Sequence, residues 1–295
     1  MEIRDMQYFL SIAQEGSISG AANALHVAQP SLSRQMKALE DELGKTLFIR
    51  GSRRVTLTEE GMILRKRAEE MLSLMEKTEK ELSASTESIS GDIYIGAAES
   101  KSVHYLTKTF SEMQKTYSDI HLHIASGDTS DLLYQLEQGL IDFALLFYIE
   151  ELEKYNYLRL PASDSWGVLM RKDHPLAKKK ALTFERDLLN EPLIMSRQTR
   201  GEILPGIHSD SLNIVATYNL AYNASIMVND GIGVALCFDS INNLNSSNNK
   251  NLIFVPLDLS LVDMRPILVW KKYQVLSRIS KTFINEVGAT IENAL

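Results

Sequence analysis

The chain has 295 residues, 44% of them hydrophobic and 23% charged, which suits one to three globular domains with real cores and excludes a disordered chain. Its formal net charge is −7, so the molecule as a whole is no general polyanion binder, and any nucleic-acid contact has to come from a local basic patch. A single cysteine, Cys237, excludes an intrachain disulfide and the multi-cysteine zinc patterns. The leading stretch MEIRDMQYFLSIAQEGS has early acidic residues and no long apolar run, so it does not read as a signal peptide. No stretch approaches the length that spans a bilayer, and a cytoplasmic location is expected.

The first region runs to about Thr58 and reads as short helices joined by tight turns. Ser17 and Ser19 are candidate N-caps for AANALHVA. Apolar residues recur at three- and four-residue spacing: Phe9, Leu10 and Ala13, then Ala21, Ala22 and Leu25, then Leu32, Met36, Leu39 and Leu43. Three such helices close a small core. After Lys45, Leu47, Phe48 and Ile49 are apolar, and Val55 and Leu57 alternate with Thr56 and Thr58, which predicts a small hairpin with its basic tip at Arg50, Arg53 and Arg54.

A long helix is expected over about residues 59–88, with Thr56 and Glu59 spaced as a capping box. Leu64, Ala68, Met71, Met75, Thr78 and Leu82 follow a four-three heptad spacing between charged flanks. One apolar stripe on so charged a helix wants a partner stripe. A second copy of the helix would supply it, and so would the helix's own N-terminal domain.

From about Gly91 the pattern changes to alternating strands and helices. DIYIGA, IHLHIA and DFALLF read as strands separated by helices, which predicts a parallel sheet with helices on both faces. A second cycle follows with WGVLMR, LIMS, NIVAT, VALCF and LIFVPL as strands and NLAYNASIMVND as a helix ended by Gly231. RPILVW returns as a strand before a last helix. The simplest architecture is two α/β subdomains, I at about 91–161 and 267–295 and II at about 162–266. The chain would cross near Leu160–Ser163 and Asp263–Pro266, making a hinge over a ligand-binding cleft.

The stretch GSISGAANALHVAQPSLSRQMKALEDELGKTLFIRGSRRVTLTEEG resembles the LysR-type transcriptional regulators. Ala21-Ala22, Leu25, Gln29 through Gln35, Leu39-Glu40, Leu43-Gly44, Leu47-Phe48, Arg50, Leu57-Thr58 and Gly61 all stand at that family's spacing. QLEQGLIDFALLF and VNDGIGVALCF resemble helix-strand elements of its two effector subdomains more loosely. The resemblance implies a winged helix-turn-helix over 1–58, a dimerising linker helix over 59–90 and a periplasmic-binding-protein-like effector domain over 91–295. It also implies a homodimer, usually assembled into a tetramer that bends its operator.

In a helix-turn-helix the second helix enters the major groove with its N-terminal residues near base edges. That helix is expected to begin near Gln29 or Pro30, proline suiting a first turn whose N–H groups are unpaired anyway. Gln29 pairs well with adenine and Arg34 with guanine, while Ser31 and Ser33 suit phosphates or bases. Lys37, one turn on, suits a backbone phosphate, and Arg50, Arg53 and Arg54 would grip flanking phosphates or the minor groove. Glu40, Asp41 and Glu42 lie later on the helix and are expected to weaken nonspecific binding.

A small polar or anionic metabolite effector is expected outside the carboxyl ends of the effector-domain strands. The candidates are Ser100, Lys101 and Ser102 after the first strand and Ser126 and Thr129 after the second. Across the cleft stand Arg197, Gln198 and Thr199, with Thr217, Tyr218 and Asn219. Ser102, Thr129 and Ser130 equally suit helix caps. Glu99 and Asp128 oppose a simple anion pocket and favour a zwitterion or a neutral compound. Without ligand the cleft is expected to be open and wet.

Nothing in the sequence marks an enzyme, a metal or a cofactor. GxSxG, HExxH and phosphate-loop patterns are missing. His121 and His123 share one strand face without a third ligand nearby in sequence. Cys237 follows an apolar run and reads as core. The competing reading is a small-molecule-binding α/β protein without regulatory DNA binding.

Overall fold

The computed structural model describes residues 1–51, 54–83, 89–147, 149–161, 164–198, 202–204, 207–240, 251–258 and 265–293. The chain divides into two compact units, Met1–Ala84 and Ser85–Leu295.

The first unit runs α1 (Ile3–Glu15), α2 (Ile18–Ala24), α3 (Gln29–Leu43), β1 (Phe48–Arg50), β2 (Val55–Leu57) and α4 (Glu59–Ser83). Its core takes most of the predicted apolar set, with Phe9, Leu32, Met36, Leu39 and Leu47 fully covered, adds Met6 and Ile12, and leaves Leu43 exposed at the end of α3. Phe9 meets Phe48 at 5.1 Å between ring centroids, so the hairpin belongs to the same core as the helices. The turn between α2 and α3 places His26 in the left-handed region at φ 53°, a conformation that strains a side-chain-bearing residue by roughly 1–2 kcal/mol.

Ser17 caps α2, accepting from Gly20 N at 2.9 Å. The expected capping box at α4 is corrected: Thr56 lies on β2, and Thr58 Oγ1 accepts from Gly61 N at 2.9 Å. Along α4, Ala68 is fully buried, and Leu64, Met71 and Leu72 pack against the N-terminal core. Much of the predicted seam is therefore used within the chain. Further along, Leu74 and Leu82 are exposed, as are Met62 and Ile63 near the start.

The second unit has two lobes. Lobe I contains β3 (Gly91–Ala97), α5 (Val103–Gln114), β4 (Ile120–Ser126), α6 (Thr129–Glu137), β5 (Phe143–Leu146) and β6 (Tyr155–Arg159). Lobe II contains β7 (Trp166–Arg171), α7 (Phe184–Asp187), β8 (Leu193–Ser196), β9 (Glu202–Leu204), β10 (Ile207–His208), β11 (Ile214–Tyr218), α8 (Ala221–Asn229), β12 (Val234–Phe238) and β13 (Leu252–Pro256). The chain then returns to lobe I with β14 (Ile267–Lys271) and α9 (Arg278–Glu292). Residues 162–163 and 263–264, at the expected crossings, lie outside the described residues.

The lobe I sheet has the order β4-β3-β5-β14-β6, and the lobe II sheet β11-β8-β12-β7-β13. The parallel pairing expected for the first three strands is found, and the antiparallel pairs involve strands whose direction the sequence left open. β3 runs parallel to β4 and β5, but β14 runs antiparallel to β5 and β6. In lobe II, β7 is antiparallel to both its neighbours. The reason is the double crossing: a strand entering a lobe from the other one has no helical crossover within that sheet to return it in parallel.

Among the tight backbone approaches that need glycine, two seat whole elements. A Cβ on Gly233 would lie 2.2 Å from Pro192 O, and one on Gly61 would lie 2.2 Å from Leu47 O. The first lets β12 run beside β8. The second seats α4 against the strand leading into the hairpin.

Candidate nucleic-acid interface and interlobe cleft

α3 starts with Ala28 as its N-cap, no side chain closing the first turn, and Pro30 in that turn. Its buried side is Leu32, Met36, Leu39 and Glu40. This leaves Gln29, Pro30, Ser31, Arg34 and Lys37 exposed, with Ser33 half-buried. Arg34 Nε donates to Pro30 O at 3.3 Å, which lays the guanidinium along the first turn. Lys37 is paired with Asp41 at 2.9 Å. In the hairpin, Arg54 is exposed and its carbonyl accepts from Gly51 N at 2.9 Å. Arg53 and the Arg50 side chain lie outside the described residues, although the Arg50 backbone pairs with Val55.

One expectation about this face is corrected. Glu40 does not confront the DNA side of the helix: it is 7% exposed and turned inward. Its Oε1 accepts from Leu47 N at 2.8 Å and Phe48 N at 3.3 Å. The carboxylate thereby anchors the first hairpin strand to the helix. Asp5, also buried, accepts from Gln35 Nε2 at 2.8 Å and ties α1 to α3.

In the effector domain several candidate residues bond to groups of the opposite lobe, where an open, wet cleft was expected. Ser100 Oγ donates to Asp164 Oδ2 at 2.5 Å, and Lys101 N donates to Asp164 Oδ1 at 3.1 Å. Lys101 Nζ pairs with Asp239. Ser102 is fully buried, its N–H donates to Ser100 Oγ at 2.9 Å, and its side chain does not cap α5. Asp128, not Thr129 or Ser130, caps α6, accepting from Asp131 N at 3.0 Å. Arg197 Nε donates to Asp128 Oδ2 at 2.6 Å, and its Nη2 pairs with Asp131. Thr129 N donates to Gln198 Oε1 at 3.0 Å, and Ala221 N to Glu99 Oε2 at 2.6 Å.

The other candidates stand apart from these bonds. Ser126 is exposed at the end of β4 and Asn219 is exposed before α8. Tyr218 turns inward, its hydroxyl donating to Leu236 O at 2.7 Å. Thr199 lies outside the described residues.

Burial raises the Asp164 carboxyl above the ordinary carboxylate range, against the hydrogen bonds from Ser100 and Lys101 N. At Asp128 burial also pushes upward, but bonds from Asp131 N, Ser130 and Arg197 outweigh it and hold the carboxyl low. Cys237 is buried in β12, and burial pushes its thiol up to about 12.

Sequence reasoning missed Asp164 and Asp239, which sit in no motif and take Ser100 and Lys101 as partners only when the lobes meet. It also missed the neighbour of His121 and His123. Asp92 on the adjacent strand lies 3.3 Å from His121 Nδ1 and 3.4 Å from His123 Nε2. Among the described residues no group of three such side chains could hold a metal ion. No helix among them is long and apolar enough to cross a membrane.

Comparison with known proteins agrees with this architecture. Residues 3–62 match the bacterial regulatory helix-turn-helix protein, lysR family, and residues 86–291 match the LysR substrate binding domain. The hydrogen peroxide-inducible genes activator of Pectobacterium carotovorum subsp. carotovorum is 31% identical over 66% of this chain, and the match spans 64% of that relative's length. The HTH-type transcriptional regulator BsdA of Bacillus subtilis (strain 168) is 27% identical over 97% of this chain and 99% of its own. The crystal structure of CbnR, a LysR family transcriptional regulator, superposes with a TM-score of 0.75 at 19% identity, covering 99% of each chain. A winged helix-turn-helix, a linker helix and a two-lobed α/β effector domain thus stand in one chain that belongs to the LysR family of bacterial transcriptional regulators.

Proposed function

We propose that this chain is a sequence-specific DNA-binding regulator controlled by a small polar metabolite held between its two lobes. Regulators of the family generally bind DNA and a small-molecule effector. The observation that carries the reading here is the leading face of α3. Gln29, Ser31 and Arg34 stand exposed around a helix start whose opposite face is locked into the core. Glutamine and arginine at such a position match the hydrogen-bonding edges of adenine and guanine. Lys37, Arg50, Arg53 and Arg54 supply phosphate contacts, which position the reading helix without themselves carrying sequence. In this reading residues 1–58 form the DNA-binding head, 59–90 the dimerising linker and 91–295 the effector domain.

A single head makes few phosphate contacts, so useful affinity needs two or more. We assign pairing to α4, where Met62, Ile63, Leu74 and Leu82 are exposed, with further assembly into a tetramer. The effector acts by linkage: it binds one lobe arrangement better than another and shifts the spacing of the heads.

One relative's name refers to hydrogen peroxide. Peroxide oxidises accessible thiolates. The only cysteine of this chain is 2% exposed with its thiol pushed up to about 12, so peroxide is not the proposed signal.

The test is capture of genomic DNA fragments by the purified chain, sequenced with and without metabolite extract. Enrichment of a few partly palindromic sites, shifted by extract, is expected. No enrichment in either condition would overturn the regulator reading and leave a ligand-binding α/β protein.

A further inference from the structure

Two helices begin at the interlobe cleft, one in each lobe, and each has its first turn completed by the other lobe. Lobe II supplies Gln198 Oε1 to Thr129 N at the start of α6, and lobe I supplies Glu99 Oε2 to Ala221 N at the start of α8. Beside each acceptor stands a cation that crosses in the same direction. Arg197 of lobe II bridges Asp128 and Asp131, and Lys101 of lobe I reaches Asp239. The contact is therefore reciprocal: each lobe donates one acceptor and one cation, and receives the same from its opposite.

The chemistry of these bonds makes them reversible. The Arg197 and Lys101 side chains are 47% and 40% exposed, so water competes for them and salt screens them. The Thr129 amide behaves alike, since its bond to Gln198 is exposed and water can take the place of the departing oxygen. A different contact sits at the crossing. Phe147, just after β5, stacks on Phe238 at the end of β12 with centroids 4.2 Å apart and planes 27° from parallel. That apolar stack is insensitive to salt and can persist while the mouth opens.

We propose that Glu99, Lys101, Arg197 and Gln198 form an electrostatic latch that holds the two lobes closed with no molecule bound, with Arg197 as the closing residue. The latch is a property of the effector domain alone and stands or falls independently of DNA binding and of any effector. Its consequence for ligand entry is that an incoming molecule exchanges its own groups for those of the latch. Charge screening and ligand then open the same contacts.

The experiment measures an interlobe distance in the full chain. Spin labels are placed through Glu286→Cys on α9 of lobe I and Glu185→Cys on α7 of lobe II, both exposed. The buried Cys237 stays unlabelled, and excess unlabelled chain confines the reading to pairs within one chain. No ligand is added. In dilute salt, one narrow distance is expected. In salt of about 1 M, where the screening length falls to roughly 3 Å, the distribution should broaden toward longer distances. Arg197→Ala should broaden it in dilute salt. Lys115→Ala, which breaks an ion pair lying wholly within lobe I, should leave it narrow. An unchanged narrow distance in both high salt and Arg197→Ala would overturn the latch, as would a broad distribution for the unaltered lobes in dilute salt. The salt series needs no further substitution, so it decides the matter even if Arg197→Ala folds poorly.

Discussion

The DNA-binding head and the interlobe cleft hold similar numbers of candidate residues but use them in opposite ways. On α3 the candidates other than the half-buried Ser33 are exposed because their helical neighbours Leu32, Met36 and Leu39 claim the core side. In the cleft, Ser100, Lys101, Thr129 and Arg197 are engaged with groups roughly 60 to 140 positions away in sequence. A single helix can thus orient a recognition face by periodicity alone, whereas a cleft residue takes its role from whatever the other lobe brings to it.

The comparison is broken most severely by disturbing what seats the head. Gly61→Ala places a methyl against Leu47 O, and backbone cannot yield cheaply. A loss of about 3 kcal/mol from the first unit is expected, near the top of overpacking costs, read as an early transition in chemical denaturation. Next comes Arg34→Ala, for which a loss of about 1–3 kcal/mol in operator binding is expected, with relaxed preference at one base position. Its melting temperature should be unchanged, because the guanidinium's internal contact is one exposed bond to Pro30 O. Lys37→Ala should weaken binding evenly across sequences and reduce the steepness of the salt dependence by about one phosphate contact. A change in sequence preference would instead make Lys37 a base reader.

The smallest expected effect lies in the cleft and concerns pH. Burial raises the Asp164 carboxyl, so just above the ordinary carboxylate range the folded state holds its proton more tightly than the unfolded chain does. Stability from this group therefore declines as pH rises through that window and levels off above the raised value. Asp164→Asn should remove that decline, measured as melting temperature between about pH 4 and 7. Parallel profiles for both proteins would show that the folded site does not shift this group.

The helical head was legible because each of its signals is local: the apolar spacing of α1 to α3, Ser17 as a cap, Pro30 in a first turn. Errors there came from one-residue choices, as when Thr58 rather than Thr56 closed the start of α4. In the effector domain the main strands could be read from apolar runs, but β6, β9 and β10 were not. β6, Tyr155–Arg159, alternates only weakly and becomes a strand by pairing with β14 more than a hundred residues later. The antiparallel direction of β7 and β14 was not legible for the same reason, since pairing across the double crossing leaves no mark on either segment. Asp164, Asp239 and Asp92 were invisible as site residues because an isolated aspartate carries no periodicity and no motif.

Glu40 gives the head a property of a different kind. Its one carboxylate oxygen holds the amides of Leu47 and Phe48, so the reading helix and the hairpin move as one piece. On the proposed DNA-binding reading, a head tied together in this way would cover a set length of duplex, like a calliper with a locked screw.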